Sequence, residues 1–240
     1  MLSKNDIKYI QSLCHKKQRG IEKLFIAEGP KILEELLNSS FEIEKIYATK
    51  DYLSKLDTYN NNIIEISEIE MNKVSQLSTP STVIALVKQK PDYYSNLTNK
   101  LNLVLDGIQD PGNLGTIIRI ADWYGVENIF CTNDTVDWYN NKVIQSTMGS
   151  FVRVNIWYGN VEEILTNHKL PVYGAVLNGN NLFENTDAKE GFLIIGNEGK
   201  GIRTNLLPVI NYPVTIPKKG GAESLNAAVA TGILLSWFTK

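Results

Sequence analysis

The chain is poor in reactive side chains. It has 2 cysteines, 2 histidines and 3 methionines in 240 residues. Cys14 and Cys131 stand far apart, which argues against a disulfide framework and fits a reducing compartment. His15 and His168 have no partners at ligand spacing, so no metal is expected, and the G-x-S-x-G nucleophile elbow is missing. Both thiols therefore read as inert structural groups. An excess of charge is also lacking. The 24 Lys and Arg against 26 Asp and Glu give a net charge of −2, not the basic domain that announces nucleic acid, although a local basic patch is still open. Long hydrophobic runs are absent. The most apolar stretch, Leu225 to Phe238, is too short to span a bilayer and is broken by Asn226 and Thr231. The opening MLSKNDIKYIQSLCHKKQRG has no apolar core of signal-peptide type. The expectation is a soluble, cytoplasmic chain with no membrane partner, whose sequons at Asn38, Asn96 and Asn133 are chance.

What is present suits a folded protein of one large or two small domains, with 43% hydrophobic and 21% charged residues. Residues 3–18 read as one amphipathic helix with Ile7, Ile10, Leu13 and Cys14 on its apolar side. LFIAEG (24–29), KIYAT (45–49), NIIEIS (62–67) and TVIALVK (82–88) read as strands. PKILEELLNS (30–39) and SEIEMNKVSQL (67–77) read as helices, the second with Ser67 and Glu70 at capping-box spacing. This alternation predicts a small α/β domain over 1–90. QKPDYYSNLTNK (89–100) is polar and carries a proline, which places a linker at 91–100. A second domain over 101–240 then repeats the alternation. LNLVLD (101–106), ENIFCT (127–132), FVRVNIWY (151–158), LPVYGAVL (170–177), GFLIIG (191–196) and YPVTIP (212–217) suit a largely parallel sheet covered on both faces.

In such sheets ligands sit outside the carboxyl ends of the strands. Three strand exits stand out. GNEGKG (196–201) is glycine-rich, but Gly201 is followed by Ile202 and Arg203 where a Walker loop needs Lys-Ser/Thr, and G-x-G-x-x-G is absent too. Glu198 would also place negative charge in a phosphate cradle, and an ordinary tight turn accounts for the stretch alone. DGIQDPGNLGTIIRIADWYG (106–125) leads through a turn at Asp110 to Asn113 into a helix. On it Asn113, Thr116, Arg119 and Asp122 form an i, i+3 stripe, either a solvated polar face or the border of a ligand crevice. IPKKGGAESLNAAVATG (216–232) runs past Gly220 and Gly221 to a possible cap at Glu223-Ser224. A helix of small residues follows, as a close backbone crossing or a core helix requires.

The segments LVLDGIQDPGNLGTIIRIADWYGV, LIIGNEGKGI and VTIPKKGGAESLNAAVATGILL resemble, in order and spacing, the three motifs of the SpoU/TrmH family of RNA ribose 2′-O-methyltransferases, part of the SPOUT superfamily. The resemblance covers 101–240. FIAEGPKILEELL and STVIALV resemble, more weakly, the family's substrate-binding module of ribosomal-protein L30e type. The implied fold is a deep trefoil-knotted methyltransferase domain preceded by a small L30e-like α/β domain. In it the C-terminal segment threads a preceding loop and the small residues from Ala227 to Gly232 allow the crossing. Ala228 departs from the more usual serine.

The resemblance also implies S-adenosyl-L-methionine as cofactor, held bent against Ala175, Val176, Leu177, Gly196, Asn197, Ile216 and Leu225, and RNA, either ribosomal or transfer, as substrate. It makes Arg119 the general base, aligned by Asn113, gives Asn197 and Glu198 the shaping of the site and the dimer contact, and has Ser224 and Asn226 organise the catalytic loop. A guanidinium keeps its proton in ordinary surroundings, so Arg119 is either strongly perturbed or positions phosphate and hydroxyl. Family members are dimers, so a homodimer is expected. His15, Lys16, Lys17 and Arg19, with Lys218 and Lys219, are candidate phosphate contacts. The rival expectation is a non-catalytic RNA-binding protein of the same fold.

Overall fold

A computed structural model describes residues 1–55, 63–184 and 190–240. The chain forms two compact units, Met1–Pro91 with Tyr139–Val152, and Asp92–Trp138 with Arg153–Lys240.

The first unit holds a mixed sheet of β1 (Leu24–Glu28), β2 (Ile43–Ala48), β3 (Ile63–Glu65) and β4 (Val83–Lys88) in the order β1-β4-β2-β3. β4 runs antiparallel to both neighbours, and β2 and β3 are parallel. The strand expected over 62–67 is seen from Ile63, and Asn62 lies outside the described residues. Around the sheet are α1 (Lys4–Ser12), α2 (Lys16–Glu22), α3 (Pro30–Leu37), α4 (Lys50–Leu53), α5 (Glu68–Val74) and, from later in the chain, α7 (Asn141–Thr147). Alternation along β1 sends Leu24 and Ile26 into a core with Ile10, Leu13, Met71, Val74 and Leu86. Phe25 points the other way, against Tyr139 (ring centroids 4.8 Å apart), Phe41 and Phe151. The capping box of Ser67 and Glu70 starts α5 as the spacing predicts.

The single helix expected over 3–18 is broken into α1 and α2. Arg19 is the cause: its guanidinium is buried and donates from Nη1 to the carbonyls of Leu13 and Cys14, at 3.0 and 2.7 Å. They belong to the C-cap of α1 and the residue after it, where the chain leaves the helix. Arg19 is thus a structural group and not a phosphate contact, whereas His15, Lys16 and Lys17 are exposed. Cys14 is exposed as well, not on the apolar face.

The second unit is a six-stranded, all-parallel sheet in the order β10-β8-β9-β5-β6-β7. Its strands are β5 (Leu101–Asp106), β6 (Asn128–Thr132), β7 (Asn155–Gly159), β8 (Val172–Asn181), β9 (Gly191–Gly196) and β10 (Tyr212–Thr215); its helices are α6 (Pro111–Trp123), α8 (Val161–Asn167) and α9 (Ala227–Phe238). Every residue of β5 and β6 is buried, as strands covered on both faces require. Val104, Phe130, Phe192 and Ile194 centre one core, against Val161, Leu165, Val172 and Leu206. Residues 92–100, polar by composition, are anchored. Ser95 donates its backbone N–H to Asn128 Oδ1 (2.9 Å), Leu97 is buried, and Tyr94 packs on Phe130.

The strand expected over 151–158 begins only at Asn155, because Phe151 is buried in the first unit's aromatic cluster within a 3-10 turn. From β5 the strands follow chain order through β6 to β7 on one side, while β9, β8 and β10 lie in that spatial order on the other. The reversal lies between β5 and β9, where Asp106 pairs with Gly196 in register. Their carboxyl ends mark the place for a ligand.

Candidate active site

At the exit of β5, Asp110 caps α6 and accepts a 2.8 Å hydrogen bond from the Asn113 N–H, with Pro111 at the first helical position. This fixes Asn113 in the first turn, half-buried, facing the neighbouring exits. The stripe that follows divides into separate roles. Thr116 Oγ1 folds back on the Gly112 carbonyl at 2.8 Å. Asp122 is taken by Arg153, with Nε and Nη2 each 2.9 Å from its oxygens. Arg119 is exposed and makes no side-chain hydrogen bond or ion pair among the described residues. It is therefore available to a ligand.

At the exit of β9 the chain turns at once. A Cβ on Gly196 would overlap the backbone of Gly201 and Ile202, so only glycine permits the fold-back. Asn197 holds the turn from both sides. Its Nδ2 donates to the Gly107 carbonyl (2.8 Å), while its Oδ1 accepts from the Gly199 and Lys200 N–H groups (3.0 and 3.1 Å). That presents Glu198, half-buried, to α6.

The cap expected at Glu223-Ser224 is instead Asn226, whose Oδ1 accepts from the N–H groups of Ala228 and Val229. Asparagine is among the strongest N-caps because its oxygen satisfies N–H groups that lack helical partners. With that oxygen committed, Asn226 Nδ2 donates to Asn113 Oδ1 at 2.9 Å. Asn113 Nδ2 in turn donates to Glu198 Oε1 at 2.6 Å, the short distance of a charge-assisted bond. The helix terminus sets the orientation of both amides, and the run ends on a carboxylate. Three exits far apart in sequence are thus joined side chain to side chain. Ser224 is exposed and makes no hydrogen bond among the described residues.

The residues expected to hold the cofactor lie at the exits beside this cluster. Ala175 and Val176 are half-buried on β8, and Leu177 is 72% exposed. The Leu177 carbonyl accepts from Thr215 Oγ1 (3.0 Å), which brings the end of β10, and Ile216 after it, beside β8. Leu225 is 45% exposed. Open apolar side chains next to a side-chain-free turn at Gly196 suit a flat, part-apolar ligand. Lys218 and Lys219 are exposed in the loop before α9. Cys131 is buried in β6, where desolvation pushes its thiol up, as an inert thiol requires.

A charged group beside the site was not among the candidates. Asp106, the last residue of β5, is buried and accepts the Arg203 backbone N–H at 2.7 Å. Arg203 Nε lies 2.9 Å from its Oδ1, and Arg203 Nη2 reaches Asp134 Oδ1 at 2.6 Å. Burial raises the Asp106 carboxyl despite the guanidinium, and the Arg203 bond lowers that of Asp134. In the sequence Arg203 figures only as a break in a Walker pattern. The available signal is a charge closing a glycine-rich turn opposite an Asp that ends an apolar strand.

Comparison with known proteins agrees with this geometry. Residues 100–236 match the SpoU rRNA Methylase family, and residues 4–85 match the MRM3-like substrate binding domain. The 23S rRNA (guanosine(2553)-2'-O)-methyltransferase RlmP of Bacillus subtilis is 31% identical over 234 residues, 95% of this chain and 94% of that protein. The 23S rRNA (guanosine-2'-O-)-methyltransferase RlmB of Blochmanniella floridana is 33% identical over 202 residues, 78% of this chain and 79% of its own length. Among solved structures, the AdoMet-bound rRNA methyltransferase from Sinorhizobium meliloti superposes with a TM-score of 0.86 at 28% identity, covering 99% of this chain and 96% of that one. With its three motifs bonded together at the switch point of a parallel sheet, and matched over more than half its length, the chain belongs to the SpoU rRNA methylase family.

Proposed function

We propose that the chain transfers a methyl group from S-adenosylmethionine to a ribose 2′-hydroxyl of ribosomal RNA. The observation that carries this reading is the hydrogen-bonded run from Glu198 through Asn113 to Asn226, which unites the three family motifs. The names of the relatives support a guanosine of 23S rRNA as the target. The family match over residues 4–85 supports a role for the first domain, residues 1–90, in choosing the RNA.

Ala175, Val176, Leu177, Gly196, Asn197, Ile216 and Leu225 would hold the cofactor. Gly196 permits close backbone approach and the leucines supply apolar walls. When bound, the cofactor supplies a methyl group on a sulfonium, which leaves a neutral thioether behind. Arg119 stands exposed on the stripe and unpaired among the described residues, a donor-only group suited to a phosphate and to the 2′-oxygen, the atom that distinguishes RNA from DNA. It thus positions and neutralises, and the hydroxyl proton leaves to solvent water. Asn113 and Asn226 lock the first turns of α6 and α9 around that position, and Glu198 fixes the polarity of the pair. Ser224, exposed and free of hydrogen bonds among the described residues, would meet substrate.

The finer architecture of the family is part of this reading. A Cβ on Gly179 would come within 2.7 Å of the Pro213 backbone, a close crossing of β8 and β10 that supports the trefoil knot. Gly232 leaves room for a Cβ, 3.6 Å from Ile120 Cδ1, so the closer backbone approach of these two glycines is the one at Gly179. Trp123, Val229 and Leu225 are exposed on and beside α6 and α9, apolar surface that supports a homodimer.

The test is to incubate the protein with methyl-labelled S-adenosylmethionine and RNA lacking the modification, then digest to nucleosides. Label in 2′-O-methylguanosine from 23S rRNA is expected. Label on a base overturns the reaction, and label confined to tRNA overturns the substrate. Cofactor binding without transfer to any RNA would favour the non-catalytic RNA-binding protein.

A further inference from the structure

The turn 196–201 carries Glu198, and of the groups that anchor its two ends Asp106, Gly107 and Arg203 lie outside the residues assigned to catalysis or cofactor. At its start Asn197 donates to the Gly107 carbonyl, and at its finish Arg203 donates its backbone N–H to Asp106 Oδ2 and sets its Nε 2.9 Å from Oδ1 as an ion pair. Both ends are therefore fastened to the same two residues, Asp106 and Gly107, where β5 ends. The third support is the exit of β6. Thr132 Oγ1 accepts the Gly107 N–H at 2.9 Å, and Asp134 holds the outer edge of the Arg203 guanidinium. Gly107 has φ +70° and leaves only 3.0 Å between a would-be Cβ and Arg203 Nη2, so the guanidinium is seated on it with no slack.

We infer that Arg203 is a positioning residue for methyl transfer: by bridging Asp106 and Asp134 it sets the turn that presents Glu198 to Asn113. The inference rests on the methyltransferase reading above. Arg203 has no bond to Glu198, Asn113 or Asn226, so it acts through the backbone between residues 198 and 203. The arrangement demands arginine in particular. One planar fork spans a buried carboxylate and an exposed one, which a lysine ammonium, a single point of charge, does not. Without Arg203, Asp106 is left as a buried carboxylate with one backbone partner. Its exposed neighbour Asp134 then adds repulsion in place of a shared cation.

The experiment compares wild type, Arg203→Ala, Arg203→Lys and Asp134→Asn in the full chain by two readouts. These are hydrogen exchange of the backbone amides of residues 197–201, and the single-turnover transfer rate at saturating S-adenosylmethionine and rRNA. Arg203→Ala is expected to raise exchange in that turn and to slow transfer roughly tenfold, the scale of a small misplacement of a site group. Arg203→Lys should recover part of both losses, and Asp134→Asn, a surface change that leaves the fold intact, should shift both in the same direction by less. In an Asn113→Ala background the Arg203→Ala loss should largely vanish, since the contact through which it acts is already gone. Unchanged protection of the turn in Arg203→Ala, or rate losses that multiply in the double variant, would overturn the inference. A wild type that transfers no methyl would sink the functional reading, and the exchange data alone would then decide the role of Arg203.

Discussion

At the scale of single residues, the site depends on an ordering of donors that no one side chain determines. Asn113 both accepts from Asn226 and donates to Glu198, so Asn113→Asp, nearly equal in size, reverses one end of the run. It sets two carboxylates against each other across what is now a 2.6 Å bond. Asn113→Ala removes the partner of a half-buried charged group at a cost of about 1–3 kcal/mol. If that cost falls on the transition state, single-turnover transfer slows roughly 10- to 100-fold, and Asn113→Asp is expected to be the worse of the two. Gly196→Ala drives a methyl group into the backbone of Gly201 and Ile202, so calorimetry should find cofactor binding lost or severely weakened. Asn113, Glu198 and Asn226 are all legible in the sequence, but only through their motifs. The bonds between them span 85 and 113 residues, a separation over which neither periodicity nor spacing carries information. Arg203 is illegible for a related reason. Its role depends on Asp106 and Asp134, which approach it only after three strands have paired.

At the scale of elements, the two helices that frame the site begin on side-chain caps, and one is misread from sequence. Glu223-Ser224 resembles a helix start, yet Asn226 is the cap, since the buried positions Ala227, Ala228, Thr231, Leu234, Leu235 and Phe238 follow a helical period from Ala227 onward. Asn226→Asp keeps an accepting oxygen for the Ala228 and Val229 N–H groups but cannot donate to Asn113. It should therefore leave the melting temperature near wild type while lowering transfer. Asn226→Ala should lose both, with about 1 kcal/mol for the cap, a drop of roughly 2–4 °C in a chain of this size. The break between α1 and α2 is a second element-level difference. Apolar periodicity runs through residues 3–18, and only a buried Arg19 seeking carbonyls interrupts it. In α5 the capping box holds Glu70 down to about 2 from 4.5, chiefly through the backbone N–H groups of Ser67 and Leu2. A lowered carboxyl stabilises the fold fully above its unfolded value, and that support disappears as pH falls through the folded one. The window is thus pH 4.5 down to about 2. Urea unfolding over that range should lose part of its pH dependence in Glu70→Gln.

At the scale of the whole molecule, the two-part plan and the parallel sheet are legible because β-rich runs and helical patterns alternate twice. The order of strands is not, since nothing local tells β9 to pair with β5 across the intervening residues 107–190. Nor does any composition shift mark residues 139–152 as part of the first unit. They are claimed there by Tyr139 and Phe151 packing on Phe25, while the family match runs unbroken over residues 100–236. Sedimentation should give twice the chain mass, and a charged substitution at Val229, exposed on α9, should shift it toward the single chain. The deciding measurement is the single-turnover rate of label transfer from S-adenosylmethionine to the ribose 2′-oxygen of unmodified 23S rRNA, in wild type and in Arg119→Ala. Transfer by wild type and its loss in Arg119→Ala, with cofactor affinity unchanged, are expected. Label on a base, or an Arg119→Ala protein as fast as wild type, would contradict this expectation.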